Sequence, residues 1–298
     1  LSGGVARVTK IDEEGSEKWG LMDRTGAVVV PLEYDWIAPL SEGLAPAMKA
    51  DANGNEKWGI IDSAGRTVVP MEYDELSNFT EGLAPVAKVD AGGNEKWGFV
   101  DQTGAVVIPL EYDNFDFFSD GLARVMKRDA DGNRRWGYID RTGEAVVPLE
   151  YFWVDFFSEG LAIVIKREEN GSWREGFVDQ TGKVVIPLGQ NKFDFFSGGL
   201  AKVIKEDADG HERYGYIDRT GTEVISPADY DYVGNFSEDL AMVMRRDADG
   251  SEKWGFVDRT GSVVVPLEYD DAYAFSDGLA RVMKENAGGR EKWGFVDR

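Results

Sequence analysis

Cysteine is absent from the 298 residues and histidine occurs once. The first absence removes disulfide frameworks, thiolate metal sites and cysteine nucleophiles. The second leaves His211 as the one imidazole, so triad catalysis and histidine-rich zinc sites are removed too. No apolar run approaches the roughly 20 residues that a bilayer-spanning helix needs. The chain opens Leu1-Ser2-Gly3-Gly4 without a signal-like apolar stretch, and reads as a fragment or a mature form. Positive charge is scarce: 33 Lys and Arg stand against 55 Asp and Glu, a formal net charge of −22. Such a field repels phosphate backbones and anionic lipid, so neither nucleic-acid binding nor membrane insertion is expected. Solubility explains the charge, and a basic partner or a divalent cation would suit it. Cysteine usage leaves the compartment open.

What the chain has in abundance is period. Trp-Gly recurs as Trp19-Gly20, Trp58-Gly59, Trp97-Gly98, Trp136-Gly137, Trp254-Gly255 and Trp293-Gly294, with Glu175-Gly176 and Tyr214-Gly215 in the two remaining places. The step is 39 residues everywhere except between Tyr214 and Trp254, where it is 40. A period of this length marks a propeller, a solenoid or an array. Whatever one repeat carries, nearly all carry, so a unique site should show as a departure from the pattern.

One unit, from Phe118 to Phe156, carries the secondary-structure argument. Leu122 to Lys127 alternates as a strand does, with Leu122, Arg124 and Met126 on one face. Asp129-Ala130-Asp131-Gly132-Asn133 is a hairpin turn, and Arg135 to Asp140 is the second strand. Arg141-Thr142-Gly143 turns again into Ala145 to Leu149, whose continuous apolar character predicts burial on both faces. Pro148 lacks a donor N–H and predicts an edge, a bulge or a strand end there. Tyr151 to Phe157 leads to the next unit and offers a fourth strand. No segment sustains a 3.6-residue period.

The expected fold is all-β: tandem antiparallel β-meander repeats in a β-propeller-like arrangement, with an open superhelical β-repeat solenoid as the alternative. The expected domain is a single repeat domain, 1–298, in units 1–39, 40–78, 79–117, 118–156, 157–195, 196–235 and 236–274 with a partial unit 275–298.

Four linked motifs stand in phase: Lys96 to Asp101, Thr103 to Pro109, Glu111 to Asp113 and Phe79 to Ala84. Together they resemble the WG-repeat family of bacterial proteins, over the whole chain. The resemblance implies a β-rich array, often in surface or secreted proteins, used as a binding or spacer module, and it brings no catalytic motif.

The candidate chemistry is weighed against this regularity. Asp129-Ala130-Asp131-Gly132, Asp207-Ala208-Asp209-Gly210 and Asp247-Ala248-Asp249-Gly250 look like the start of a calcium loop, but the later ligands of such a loop are missing. Turn chemistry explains them, with calcium as the alternative; no cofactor and no metal site is expected. The Asp closing each Trp-Gly strand suits an Asx turn, and His211 occupies a hairpin position held elsewhere by Asn or Ser. The repeating Trp suits packing, with the following Gly admitting a neighbouring backbone. Departures from the pattern are the candidates for partner contact: Trp173, Glu175, Gln190, Asn191 and Lys192 in the fifth unit, and the off-pattern Trp36 and Trp153. In the sixth unit Tyr214, one extra residue before Pro227, and Asp239 in a Gly position are also irregular.

The expected function is a non-enzymatic binding or scaffold module for a protein or glycan. The alternatives are a spacer array self-associating through its terminal strands, and a carbohydrate-active enzyme using paired carboxylates. The last needs one asymmetric pair, whereas these carboxylates recur.

Overall fold

The computed structural model describes residues 4–286 and 288–298. Among them there is no helix, and every strand pairs antiparallel within one of eight small sheets. Six sheets have four strands; Asn114–Phe115, Leu122–Arg128, Arg134–Asp140 and Ala145–Tyr151 form one of these, in that order. The first sheet (Val5–Ile11, Glu17–Asp23, Val28–Tyr34) and the last (Asp271–Ala272, Ala280–Glu285, Glu291–Val296) have three each. The chain divides into two compact units, Leu1–Tyr151 and Phe152–Arg298.

The fourth strand is only two residues long, and it joins the sheet that follows it. Trp153 and Val154 pair with Ile165 and Val164, not with the strand Ala145–Tyr151 just before them. Units cut at the Phe-Ser-x-Gly-Leu-Ala phase therefore straddle two sheets.

Burial corrects one expectation from the sequence. The Val-Val-x-Pro strand is not covered on both faces: in Val28–Tyr34 only Val30 and Tyr34 are buried, and Val28 and Pro31 are exposed. It is the outer strand, at the far end of the sheet from the two-residue strand. The strands covered on both faces are the two inner ones, as Ala123, Arg124, Val125 and Met126 show in one and Trp136 to Ile139 in the other. Hydrophobic clusters join consecutive sheets within each compact unit. Leu21, Val30 and Tyr34 meet Ile37, Ala45 and Ala47 in the first unit, and Leu240, Phe256 and Val265 meet Phe275, Ala280 and Val282 in the second. Sheets of this size bury little alone, so stacking supplies the core.

The Gly of Trp-Gly has a steric cause. Where Trp136 pairs with Tyr151 and Tyr138 with Val147, the outer strand bulges around its proline. A Cβ on Gly137 would lie 2.4 Å from the Val147 carbonyl oxygen, and one on Gly176 would lie 2.5 Å from that of Ile186. Proline, bulge and glycine are one device.

The turns also follow the sequence. Asp140 Oδ1 accepts the Thr142 and Glu144 amides at 2.8 and 3.0 Å and the Thr142 hydroxyl at 2.6 Å. That hydroxyl, first among these donors, holds the carboxyl below the usual range. The turn before each Leu-Ala strand places two successive residues at positive φ, Glu159 at 51° and Gly160 at 77°. A non-glycine residue pays for that conformation. Glu159 recovers part of the cost by accepting the Gly198 and Gly199 amides, at 2.6 and 2.9 Å, from the next such turn.

Candidate functional site

The regular corner is tied by charge. Asp113 accepts Lys96 Nζ at 2.5 Å and the Arg128 amide at 2.6 Å; Asp270 accepts Lys253 Nζ at 2.5 Å and the Glu285 amide at 2.7 Å. The Lys253 ammonium holds the Asp270 carboxyl below its ordinary range. Asp35, Asp74 and Asp231 serve in the same way with Lys18, Lys57 and Arg213. At the corners around 152 and 191 the acid is replaced, by Phe152 and Asn191. The residues that sequence irregularity singled out in the second compact unit gather beside these altered corners.

Trp173 opens the strand Trp173–Asp179, and its indole is 44% exposed. Phe152, also exposed, meets it edge-on with ring centroids 4.6 Å apart, and the Arg167 guanidinium lies 5.5 Å above the indole. Glu175 is half-buried in the place of the repeating Trp and accepts the Phe193 amide at 3.1 Å. Burial pushes its carboxyl above the usual range, against that amide and the Lys192 charge. Lys192 is exposed and ion-paired with Glu212 at 3.2 Å. Gln190 is exposed and Asn191 half-buried between the outer strand Val184–Gly189 and the two-residue strand Lys192–Phe193. Trp153 shares a cross-strand row with Ile165 and Glu175.

Trp36 belongs to the other compact unit, where it stacks edge-on against Trp19 at 4.8 Å beneath Arg7. The repeating aromatic is thus a packing residue between sheets: Trp97 meets Phe115 at 4.7 Å, and Tyr214, in the same place of its repeat, meets Tyr232 at 6.1 Å.

The sequence reading missed a recess of about 280 Å³ between the sheets that contain Leu200–Glu206 and Leu240–Arg246. Lys202 and Tyr216 face it from directly paired positions. Lys202 Nζ donates to Asn235 Oδ1 at 2.9 Å, and the buried Tyr216 hydroxyl donates to the Gly234 carbonyl at 2.9 Å. Burial pushes the Lys202 ammonium down, opposed by Asp194, and pushes the Tyr216 hydroxyl up. Arg259 lies over the Phe236 ring at 4.8 Å, held by Asp239, the acid that stands in a Gly position. The available signal was Gly234-Asn235, standing where the three preceding corners read Asp116-Phe117, Asp155-Phe156 and Asp194-Phe195.

Asp207, Asp209 and His211 bring one ligand atom each to within 4.8 Å of one another. Asp207 already accepts the Asp209 and His211 amides at 3.0 Å each and Arg213 Nε at 3.0 Å, so the group is built as a turn and fits a cation poorly. Asp129 does the same with the Asp131 and Asn133 amides and Arg135.

A family profile described as "WG containing repeat" matches seven times, over residues 19–51, 58–88, 97–129, 136–168, 176–207, 214–247 and 254–286. The chain belongs to the WG-containing repeat family. The matches start on the packing aromatic of each WG repeat, save the fifth, which starts on Gly176 because Glu175 stands in its place. No curated protein matches the chain. Among solved structures it is similar to the β-propeller domain of the Trilobed protease from Pyrococcus furiosus, at 10% identity, 99% of this chain, 90% of that one and a TM-score of 0.29. A likeness to the BP39L lectin from Burkholderia pseudomallei has 14% identity, covers 89% and 94% of the two chains, and has a TM-score of 0.27. For Pyrococcus horikoshii acylaminoacyl peptidase the values are 11% identity and a TM-score of 0.31, and the chain spans 52% of that protein's length.

Proposed function

We propose that this WG-repeat chain is a non-catalytic binding module that recognises a protein or glycan partner at the two altered corners joined by the strand Trp173–Asp179, through Phe152, Trp173, Glu175 and Lys192. The observation that carries this is the exposed Phe152–Trp173 pair under Arg167, set beside a half-buried carboxylate where the Lys–Asp tie of the other corners is absent. Aromatic faces with a nearby charge suit either a sugar ring or a protein anchor. The carboxylates that dominate the surface recur with the period as turn acceptors, which supports architecture over hydrolysis. A glycan array and a panel of basic peptides, probed with the chain and with Trp173→Ala, test the reading. Binding that falls at least tenfold in the variant supports it; binding that Trp173→Ala leaves unchanged refutes it.

A further inference from the structure

We propose that the recess at Lys202 binds one carboxylate-bearing sugar residue, a hexuronate. Its polar groups divide as that ligand requires. Lys202 Nζ spends one hydrogen on Asn235 Oδ1 and keeps two, and its partner is an amide oxygen instead of a carboxylate. An ammonium with spare donors, half out of water, favours an anion. Asn235 engages its oxygen with Lys202, so its amide nitrogen is free to donate beside that ammonium. Tyr216 gives its proton to the Gly234 carbonyl and so offers its oxygen as an acceptor for a sugar hydroxyl, as does the exposed Asp194 at the rim. Phe195, 50% exposed, supplies an apolar face against which a pyranose ring packs.

The size agrees. At about 280 Å³ the space falls just below the roughly 300–1,000 Å³ of pockets for drug-sized ligands, enough for one ring. It opens where Gly234 and Asn235 stand in place of the Asp-Phe of the three corners before it, and where the neighbouring sheet supplies Lys202 and Tyr216. In a chain of net charge −22, the recess is a place where a lysine is held by an amide oxygen and not by a carboxylate.

Isothermal titration of the full chain with D-glucuronate and D-galacturonate, beside glucose, galactose and acetate, tests the proposal. A uronate is expected to bind at least about tenfold more tightly than its neutral counterpart and than acetate. Lys202→Met is expected to lower that affinity about ten- to hundredfold. Asn235→Phe, which installs the residue found at Phe117, Phe156 and Phe195, is expected to abolish binding without moving Tm. A trigalacturonate separates the sources: tighter binding than the monomer marks a polymer end, and equal binding a free sugar. Equal binding of glucose or of acetate, no binding of either uronate, or an unchanged affinity in Lys202→Met overturns the proposal. The comparison of sugars uses the unaltered chain and holds whether or not the variants fold. Trp173→Ala leaves this binding intact, which separates the recess from the altered corners.

Discussion

Adding one methyl group at Gly137 should cost far more than adding it at Gly294, although both glycines follow the tryptophan of a Trp-Gly pair. A Cβ at Gly137 would sit 2.4 Å from the Val147 carbonyl oxygen and 2.9 Å from the Pro148 carbonyl carbon and oxygen. All are backbone atoms of the bulged outer strand, which must retreat by about 1 Å to restore van der Waals distance. Overpacking of this kind costs about 1–3 kcal/mol. At Gly294 nothing lies within 4 Å of the same methyl. There the substitution removes only the entropic penalty of a strand glycine, a gain of about 0.5–1 kcal/mol. That gain applies to both sites, so the difference between the variants isolates the clash. Urea unfolding followed by tryptophan fluorescence reads it, with midpoints converted through m where the transition is two-state. In a thermal melt, a unit of this length should lose about 2–4 °C per kcal/mol. If Gly137→Ala and Gly294→Ala differ by less than about 0.5 kcal/mol, the close approach of the outer strand does not explain the conserved rhythm of Trp-Gly.

Three further outcomes follow from the geometry. Trp136, 6% exposed, should cost about 3–5 kcal/mol as Trp136→Ala, whereas Trp173→Ala, at 44% exposure, should cost under about 1 kcal/mol in chemical denaturation. Glu159→Ala loses two amide contacts and keeps the left-handed backbone cost, while Glu159→Gly loses the contacts and sheds the cost; the Ala variant should therefore unfold earlier by about 1 kcal/mol. Burial raises the Glu175 carboxyl, so above its unfolded value near 4.3 the folded chain holds the proton that the unfolded chain has lost. Stability should fall as pH rises through that window, and Glu175→Gln should flatten the slope in melts across pH 4 to 7. A wild-type slope that survives in the variant refutes the assignment.

The turns were legible because Asp, Thr and Gly act within a few residues of one another. Asp140 caps its turn from contacts to Thr142 and Glu144 that the local sequence contains. The proline bulge and its glycine were legible for the same reason, each being a steric statement about one backbone. The burial of the Val-Val-x-Pro strand was misread because apolar content was taken as a sign of two covered faces. Position in the sheet decides coverage, and the strand with the most β-branched residues lies outermost, with Val28 and Val106 half exposed. Glu175 was legible as a departure, but its amide contact to Phe193 was not, since it depends on where the next short strand begins. The recess lay beyond reach for a deeper reason. It is made by what Gly234 and Asn235 lack, and a missing side chain marks space only once the facing sheet supplies Lys202 and Tyr216.

The two-residue strands carry a consequence for how such a chain lengthens or shortens. Because Trp153 and Val154 hydrogen-bond forward, a cut at the Phe-Ser boundary parts this two-residue strand from the other three strands of its sheet. The excisable cassette runs from corner to corner, as Asp113 to Tyr151 does, and not from motif to motif. A fragment with its ends in the corners carries a finished sheet, whereas one cut at the Phe-Ser boundaries carries three strands of one sheet and the two-residue strand of the next. Excision of a single repeat, whether for expression or for grafting, therefore has a preferred boundary set by a strand of only two residues.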